Sequence, residues 1–455
     1  MSQRPHPTLT LHGARTGMDD GQTSSLTLTE SALDHIADPA GEGARTFTQV
    51  FAERALRMAQ VSDSMRSAGQ KRSPLEGVPI SIKDLFDVAG TRTLAGSVVL
   101  HDAPAAERDA AVVQRLLASG AVLVGKTNMT EFAYSGLGIN PHHGTPANPW
   151  RRHEQRIPGG SSSGAAVAVT DGMCVASVGS DTGGSARIPA ALCGITGFKP
   201  TARRIPAEGL VPLSPALDTV GVLAADVQGC AVVDAVLSGA SPTPRTHRTP
   251  SLKQARFAVP TTLVQDGMDA AVACAFRHAL DRISAAGAQV VDLDVPEFSE
   301  LAHINAAGGF SAAESWAWHA QLIDRRAASY DPRVLSRILR GRDISAQAYI
   351  DLLAKRADWQ RRIAARFGGF DGWLMPTVPT IAPGIADLVA NEAMYFESNA
   401  LMLRNPSIVN FMDGCAISLP CHQPGAAPVG LSLAGPPLGD AAVLDWAASI
   451  EAVLH

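Results

Sequence analysis

Short apolar runs bounded by glycine or proline recur along the chain and predict buried β-strands. These runs cover residues 78–82, 121–124, 255–259, 289–295, 373–376, 416–420 and 429–433. Between them, apolar residues at helical spacing predict amphipathic helices. The predicted helices are a short one beginning at residue 28 and others over 46–67, 109–119, 226–237, 269–286 and 440–454, and residues 301–366 are predicted to be helical as well. This alternation of strands and helices is compatible with an α/β fold but does not establish its topology.

The first 26 residues differ in composition from the rest of the chain. Residues 1–26 are polar and contain Gly, Pro, Ser and Thr, so they predict a loose N-terminal tail. With 46% hydrophobic and 18% charged residues, the 455-residue chain has ample material for a large core and does not have the composition of a disordered protein. We expect one large domain over residues 27–455.

Charge and hydropathy exclude several classes of partner. A net charge of −5 gives no electrostatic basis for binding nucleic acid or an anionic membrane. No run of 18 uninterrupted apolar residues predicts a membrane span, and the N-terminus has no apolar signal-peptide segment. We therefore expect a cytoplasmic protein without nucleic-acid or membrane partners. The sequence does not decide the oligomeric state, and a homodimer is possible.

Cysteine and histidine patterns give no sign of a metal site. The six cysteines form no CxxC pair, and most lie in apolar runs that predict buried free thiols. His142 and His143 lack both an HExxH motif and a carboxylate at ligand spacing. We expect no metal and no cofactor.

One segment matches a nucleotide-binding motif only in its letters. Residues 120–127, GAVLVGKT, fit G-x-x-x-x-G-K-[ST]. A P-loop needs a strand before the first glycine and an open loop between the glycines. Here a predicted helix comes first and the residues between the glycines form the predicted strand, so the pattern argues against nucleotide binding.

Two glycine–serine clusters are the strongest chemical signal in the sequence. They are GGSSSG at 159–164 and GGS at 183–185, and Ala- and Val-rich core segments lie between them. Glycines next to serine allow the backbone to approach a ligand and to direct several N–H groups at one point. A flexible linker is the alternative, but a linker would be polar on both sides. The clusters therefore predict two serine loops that meet at one site.

A serine nucleophile needs a base, and Lys83 is the candidate. No His–Asp pair in the chain is placed to suggest a Ser–His–Asp triad. Lysine can accept a proton at neutral pH if burial lowers its pKa from about 10.4 toward ~7–8. Lys83 ends the apolar run Val-Pro-Ile-Ser-Ile, which is such an environment, although a lysine there is commonly a surface residue.

Four blocks of the sequence resemble the amidase signature family of serine hydrolases. They are GVPISIKDLFDVAG (77–90), GAVLVGKTNMTEFAYSG (120–136), PGGSSSGAAVAV (158–169) and GSDTGGSARIPAALCGITGFKPT (179–201). Weaker matches continue to the C-terminus, so the resemblance covers nearly all of the chain after residue 27, with a signature core at about 71–225. It implies one large α/β domain with a mixed, twisted central sheet covered by helices on both sides.

The resemblance also implies roles for individual residues. Ser185 would be the nucleophile, Ser161 would relay the proton, and Lys83 would be the terminal base. The spacing of 24 residues between the two serines is the family's spacing, and the peptide bond before Ser161 should be cis. The oxyanion hole would use backbone N–H groups of four consecutive residues, Thr182, Gly183, Gly184 and Ser185.

The implied activity is hydrolysis of a small carboxylic amide through an acyl-enzyme. Blocks 135–149 and 187–201 are similar to those of bacterial indoleacetamide and mandelamide hydrolases, so we expect a hydrophobic or arylacetic primary amide. Position in the sequence suggests four substrate-binding candidates: Ala133, Tyr134, Arg187 and Trp316. Arg187 is either part of the scaffold around the nucleophile turn or a ligand for a substrate carboxylate.

The sequence leaves two alternatives open. The same family includes the catalytic component of the glutamine-dependent amidotransferase that amidates misacylated tRNA, which would place the chain in a larger assembly. The segment after EFAYSG departs from the usual serine-rich pattern of that component. The alternative from another class is a P-loop nucleotide-binding protein, although the predicted helix before residues 120–127 and the predicted strand within them argue against it.

Overall fold

The computed structural model describes residues 8–240 and 249–454, and its central feature is one mixed sheet of eleven strands. The strands are β1 (Phe47–Val50), β2 (Pro79–Lys83), β3 (Val122–Thr127), β4 (Ala176–Ser180), β5 (Thr196–Lys199), β6 (Val220–Ala224), β7 (Arg256–Pro260), β8 (Gln289–Leu293), β9 (Gly372–Pro376), β10 (Cys415–Pro420) and β11 (Gly430–Gly435). Their spatial order is β1-β3-β2-β4-β6-β5-β10-β11-β9-β7-β8. Parallel pairs β2–β3, β2–β4, β7–β8 and β7–β9 are combined with antiparallel pairs elsewhere.

Helices flank this sheet, which confirms the predicted α/β class with a mixed sheet. They are α1 (Leu11–Asp19), α2 (Ser25–Ala37), α3 (Gly43–Thr46), α4 (Ala52–Ser67), α5 (Ala111–Ala118), α6 (Ser163–Thr170), α7 (Arg187–Cys193), α8 (Val227–Ser238), α9 (Ala270–Ala285), α10 (Glu297–Ile304), α11 (Gly309–Arg326), α12 (Pro332–Leu339), α13 (Ala346–Arg366), α14 (Ile385–Ala390), α15 (Glu392–Met412) and α16 (Asp440–Leu454). Within the described ranges, no helix is long and apolar enough to cross a membrane.

The prediction of a loose tail over 1–26 is wrong for the part that the structure describes. Residues 11–19 form α1, and α2 already begins at Ser25. Thr10 caps α1 by accepting a hydrogen bond from the Gly13 N–H at 3.0 Å. Leu11, Ala14 and Met18 are buried on one face of this helix, so a short apolar stripe attaches the segment to the core. Residues 1–7 lie outside the described residues.

Two further differences concern helices: one begins later than predicted, and another was not predicted. The helix predicted over 46–67 begins at Ala52, because residues 47–50 instead pair with β3 as an antiparallel edge strand. Sequence analysis does not predict helix α15. Its C-terminal half is buried on all sides and contains Pro406, so it shows no amphipathic stripe that sequence analysis could detect.

The sheet order determines where the site forms. Strands β2 and β4 are parallel neighbours, with Ile82 opposite Val178, so their carboxyl ends lie side by side at one edge of the sheet. Lys83 is the last residue of β2, and Ser180 is the last residue of β4. The glycine–serine cluster at 183–185 follows β4 directly, and the other cluster leads into α6. The topology therefore brings a lysine and both serine loops to the same place.

Candidate active site

Lys83 is fully buried at this edge of the sheet and contacts two serine hydroxyls. Its Nζ donates to Ser161 Oγ at 2.7 Å and to Ser180 Oγ at 2.8 Å. Burial lowers the pKa of Lys83 from its ordinary value of 10.5 to about 7, against the opposing charges of Asp181 and Asp218. The side chain can therefore be neutral at physiological pH, and a neutral amine can accept a proton.

The first serine loop has the backbone geometry that the resemblance implied. The peptide bond between Gly160 and Ser161 is cis. A side chain at position 160 would place its Cβ only 2.6 Å from the Gly138 backbone nitrogen, so glycine is required for this close approach of two loops. Ser162 then ties this loop to the second one, because its N–H donates to the Ser185 carbonyl oxygen at 3.2 Å.

The second loop is a turn that a buried ion pair holds in shape. Asp181 accepts from the Gly184 N–H at 2.8 Å and pairs with the guanidinium of Arg187 at 2.9 and 3.0 Å. Arg187 also donates to the Asn410 side chain at 2.7 Å. Although burial alone would raise the pKa of Asp181, the charge and hydrogen bonds of Arg187 lower it well below the ordinary value. Arg187 is fully buried and does not line the cavity, so the suggestion that it binds a substrate carboxylate is wrong.

The turn leaves backbone N–H groups available near Ser185. Among the described residues, the N–H groups of Thr182, Gly183 and Ser185 have no protein acceptor. Gly184 differs from the prediction, because its N–H is already bonded to Asp181. The geometry therefore offers three of the four predicted donors to a developing negative charge.

A cavity of about 850 Å³ opens onto Ser185 and these N–H groups. Two of the predicted substrate-binding residues, Ala133 and Tyr134, line it. Trp316 does not: it lies on α11 and packs partly buried against the main hydrophobic cluster, so its prediction as a pocket residue is wrong. Most of the wall is apolar and comes from segments far apart in the sequence, including Leu213, Leu217, Leu263, Phe298, Phe310, Leu401 and Phe411.

The structure also excludes the P-loop alternative. Residues 122–127 form the buried strand β3, so no open loop lies between the two glycines of the motif. Lys126 is fully buried and donates to the Arg92 carbonyl oxygen and Thr93 Oγ1, at 2.9 and 3.0 Å. Its ammonium group lies 3.4 Å from Asp84. This lysine is therefore committed to the core and cannot reach a phosphate.

Comparisons with known proteins establish the family of this chain. The family model described as Amidase matches residues 27–444. The chain belongs to the amidase family. A curated relative, 2-amino-5-chloromuconic acid deaminase from Comamonas testosteroni, is 37% identical over 459 residues that cover 99% of this chain and 96% of the relative. The A-type subunit of glutamyl-tRNA(Gln) amidotransferase from Chloroflexus aggregans (strain MD-66 / DSM 9485) is 32% identical, with 96% and 94% covered.

A solved amidase structure has the same fold. It superposes with a TM-score of 0.87 at 29% identity and covers 98% of this chain and 100% of that chain. The fold and family together make this protein a hydrolase of amide C–N bonds, as the sequence predicted.

Two polar residues of the candidate site were not predicted from the sequence. Ser180 shares the Lys83 ammonium with Ser161, and it lies inside one of the matched blocks. Asp218 accepts from Thr182 Oγ1 at 2.6 Å and from the backbone N–H groups of Leu213 and Ser214 at 3.0 Å. It therefore connects the turn that carries Ser185 to the cavity wall, and Thr182 and Asp218 are 36 residues apart in the sequence. No local sequence pattern marks a contact of that kind.

Proposed function

We propose that this amidase-family enzyme hydrolyses a small carboxylic amide through an acyl-enzyme on Ser185, with Ser161 and Lys83 as the proton relay. The observation that carries the proposal is the 2.7 Å hydrogen bond from a fully buried Lys83 to Ser161, next to a turn that presents Ser185 with free N–H groups. A base with a pKa near 7 suits proton transfer at neutral pH.

In the acylation step, Ser185 Oγ attacks the amide carbonyl carbon and forms a carbon–oxygen bond. The Ser185 proton passes to Ser161, and the Ser161 proton passes to the neutral Lys83 amine. The free N–H groups of Thr182, Gly183 and Ser185 stabilise the resulting oxyanion. When the carbon–nitrogen bond breaks, the nitrogen takes a proton from Ser161, which Lys83 reprotonates, and ammonia leaves.

Deacylation uses the same relay with water as the nucleophile. Water loses one proton through Ser161 to Lys83 as its oxygen bonds to the acyl carbon. Collapse of the intermediate returns that proton to Ser185 and releases the carboxylic acid. Every proton is returned, so the cycle closes.

For the substrate, the apolar cavity wall supports a primary amide with a hydrophobic or arylacetic acyl group. Aromatic and aliphatic side chains from α10, α11 and α15 cover much of the cavity beyond Ser185. A largely apolar pocket distinguishes substrates that differ by one methylene only weakly, so we expect activity on several related amides.

A second candidate function is glutaminase activity within an amidotransferase. The 32% identity to a component of glutamyl-tRNA(Gln) amidotransferase over nearly the whole chain favours testing it. This alternative predicts that glutamine is the preferred amide and that turnover depends on partner proteins.

Ammonia release from purified protein tests the proposal. The panel contains aliphatic, aryl and arylacetic amides together with glutamine, and the variants are Ser185→Ala, Ser161→Ala and Ser163→Ala. Ser163 is a matched control because it is as buried as Ser161, belongs to the same glycine–serine cluster, and has an Oγ without a hydrogen-bond partner among the described residues. We expect the first two variants to lose at least about 10³-fold in kcat while Ser163→Ala stays near wild type. Unchanged ammonia release by Ser185→Ala would contradict the assignment.

A further inference from the structure

Asp218 is a buried carboxylate next to the turn that carries Ser185. Thr182 Oγ1 donates to its Oδ1 at 2.6 Å, and the backbone N–H groups of Leu213 and Ser214 donate to its Oδ2, both at 3.0 Å. Burial raises the pKa of Asp218, and these hydrogen bonds oppose the rise because they favour the ionised form. All three donors are neutral, and within residues 8–240 and 249–454 no cationic side chain pairs with Asp218. Its charge is therefore not balanced by a direct partner.

The register of the sheet places this carboxylate at the same end of β4 as Lys83. In the antiparallel pair of β4 and β6, Ser180 lies opposite Val220. Two residues further along this ladder, the Thr182 hydroxyl bonds to Asp218, so the contact continues the pairing past the ends of both strands. Ser180 also accepts from Lys83 Nζ at 2.8 Å. The Lys83 amine and the Asp218 carboxylate therefore both adjoin the short segment that follows β4.

Two carboxylates act on the charge of Lys83, and their own partners differ. Asp181 and Asp218 both oppose the fall in pKa that burial causes at Lys83. Asp181 forms the buried ion pair with Arg187, so its charge is largely balanced there. Asp218 has no such cation among the described residues. The uncompensated negative charge near Lys83 therefore belongs to Asp218.

The proposed proton relay needs a negative charge at this place. When Lys83 takes up a proton through Ser161, it becomes an ammonium group with no exposure to solvent. An ion buried without a counter-charge is costly, and the hydroxyls of Ser161 and Ser180 are only neutral acceptors. A carboxylate nearby lowers that cost and so makes Lys83 a stronger base.

The same carboxylate orients a predicted oxyanion donor. Thr182 is buried, and its hydroxyl is held by Asp218, while its backbone N–H has no acceptor among the described residues. One residue earlier, the Asp181 N–H donates to the Thr219 carbonyl oxygen at 2.7 Å. The backbone at Thr182 is thus tied to the segment before β6 at two points, and its N–H stays available to a developing oxyanion.

We propose that Asp218 is a positioning residue of the amide hydrolysis, which supplies the counter-charge to the Lys83 ammonium and holds Thr182 in the oxyanion hole. This inference rests on the proposed function, because it assumes that Lys83 takes up a proton during turnover. Asp218 does not line the cavity, so it acts through these two residues and not on the substrate.

Direct titration of Lys83 in the folded protein tests the counter-charge without turnover. The chain has six lysines, so protein grown with lysine that carries carbon-13 at Cε gives NMR signals from only six side chains. The signal that is missing from Lys83→Met belongs to Lys83. It is followed from pH 5 to pH 10 in the wild type, in Asp218→Asn, which removes the charge, and in Thr182→Val, which removes the hydrogen bond and keeps the charge.

Two further variants complete the set. Asp218→Ser also removes the charge, and its hydroxyl oxygen can still accept from a backbone N–H of the turn. Glu314→Gln is the matched control, because Glu314 accepts from Ser214 Oγ and the Ala216 N–H in the same turn but is not one of the carboxylates that act on Lys83.

We expect Lys83 to titrate near pH 7 in the wild type, in Thr182→Val and in Glu314→Gln. In Asp218→Asn and Asp218→Ser, the midpoint should lie at least about one pH unit lower, because the ammonium form has lost its counter-charge. An unchanged midpoint in the Asp218 variants, or an equal shift in Thr182→Val or Glu314→Gln, would overturn the inference.

Turnover separates this inference from the proposed function. Asp218→Asn should lower kcat at least about 100-fold and Thr182→Val about tenfold, while Glu314→Gln stays near the wild type. Normal kcat in Asp218→Asn would overturn the positioning role. If the Lys83 midpoint shifts as expected but the wild type releases no ammonia from any amide, the proposed function fails while the coupling of Asp218 to Lys83 stands.

Discussion

The lysine at the centre of the site should cost the protein stability, and Lys83→Met measures that cost. Burial moves the pKa of Lys83 from 10.5 to about 7. At 1.36 kcal/mol per pKa unit, this difference corresponds to about 4–5 kcal/mol lost from the free energy of unfolding at pH 7. Methionine has a similar length and no charge. It forfeits two hydrogen bonds to Ser161 and Ser180, at about 1 kcal/mol each. We expect Lys83→Met to be more stable than wild type by a few kcal/mol at pH 7.

The sign of the pH dependence follows from the same numbers. Between pH 7 and pH 10.5 the unfolded chain binds a proton at Lys83 that the folded chain does not bind. Wild-type stability should therefore rise with pH relative to Lys83→Met, and the advantage of the variant should shrink by about 2 kcal/mol between pH 7 and pH 9. Groups common to both proteins cancel in this difference.

Urea unfolding of both proteins at pH 7, 8 and 9 provides the measurement, with turnover recorded on the same samples. Lys355→Met, at an exposed lysine, controls for loss of charge alone. We expect turnover of Lys83→Met to fall by about 10²–10⁴-fold while the fold is retained. A stability difference that does not change with pH, or a variant several kcal/mol less stable than wild type at pH 7, would refute the reasoning.

Three other predictions follow from the site. For the wild type, kcat/KM should rise with pH up to about 7 and then level off, because Lys83 must be neutral to accept a proton. Below pH 7, kcat/KM should fall about tenfold for each pH unit. A flat profile of kcat/KM from pH 5 to 8 would contradict the assignment of Lys83 as the base. Gly184→Ala should lower kcat at least about 100-fold, because φ at Gly184 is +122° and a Cβ there would lie 2.6 Å from the Pro406 side chain. The control is Gly425→Ala, which should keep normal turnover because Gly425 also has a positive φ but a Cβ there would meet no atom within 4 Å. Asp181→Asn should lower the free energy of unfolding by about 3–5 kcal/mol, because it leaves the buried Arg187 without its counter-charge. In the same urea titration, Glu53→Gln, which breaks the exposed pair with Arg57, should change the free energy of unfolding by less than about 1 kcal/mol.

The parts of the fold that sequence analysis predicted are those with a local signal. The apolar runs predicted as strands at 78–82 and 416–420 match β2 and β10 to within one residue at each end, and the helix predicted over 440–454 has the observed boundaries. Asp226 caps α8 as a helix-start residue would, by accepting from the Gly229 N–H. By contrast, β1 is an edge strand that forms because it pairs with β3. The amino-acid sequence of residues 47–50 alone is equally compatible with a helix.

The site shows the same division between local and non-local information. The motifs identified Lys83 and both serine loops because each functional residue lies within a short, distinctive block. The cavity wall could not be predicted because it is assembled from segments that are far apart in the sequence. Nothing in the amino-acid sequence distinguishes Arg337, which lines the cavity, from Arg333, which pairs with Asp331. What separates these two arginines is a partner that only the folded chain supplies or withholds.

The central feature of the proposed mechanism is a covalent bond between the substrate and Ser185. Wild-type protein is mixed briefly with an amide that it hydrolyses and is then quenched in acid. Intact-protein mass spectrometry and peptide mapping then measure the mass of any covalent adduct and its position. We predict a mass increase equal to the product acid minus water, located on the peptide that contains Ser185 and absent from Ser185→Ala. An adduct on another residue, or normal turnover in the variant, would contradict the acyl-enzyme mechanism.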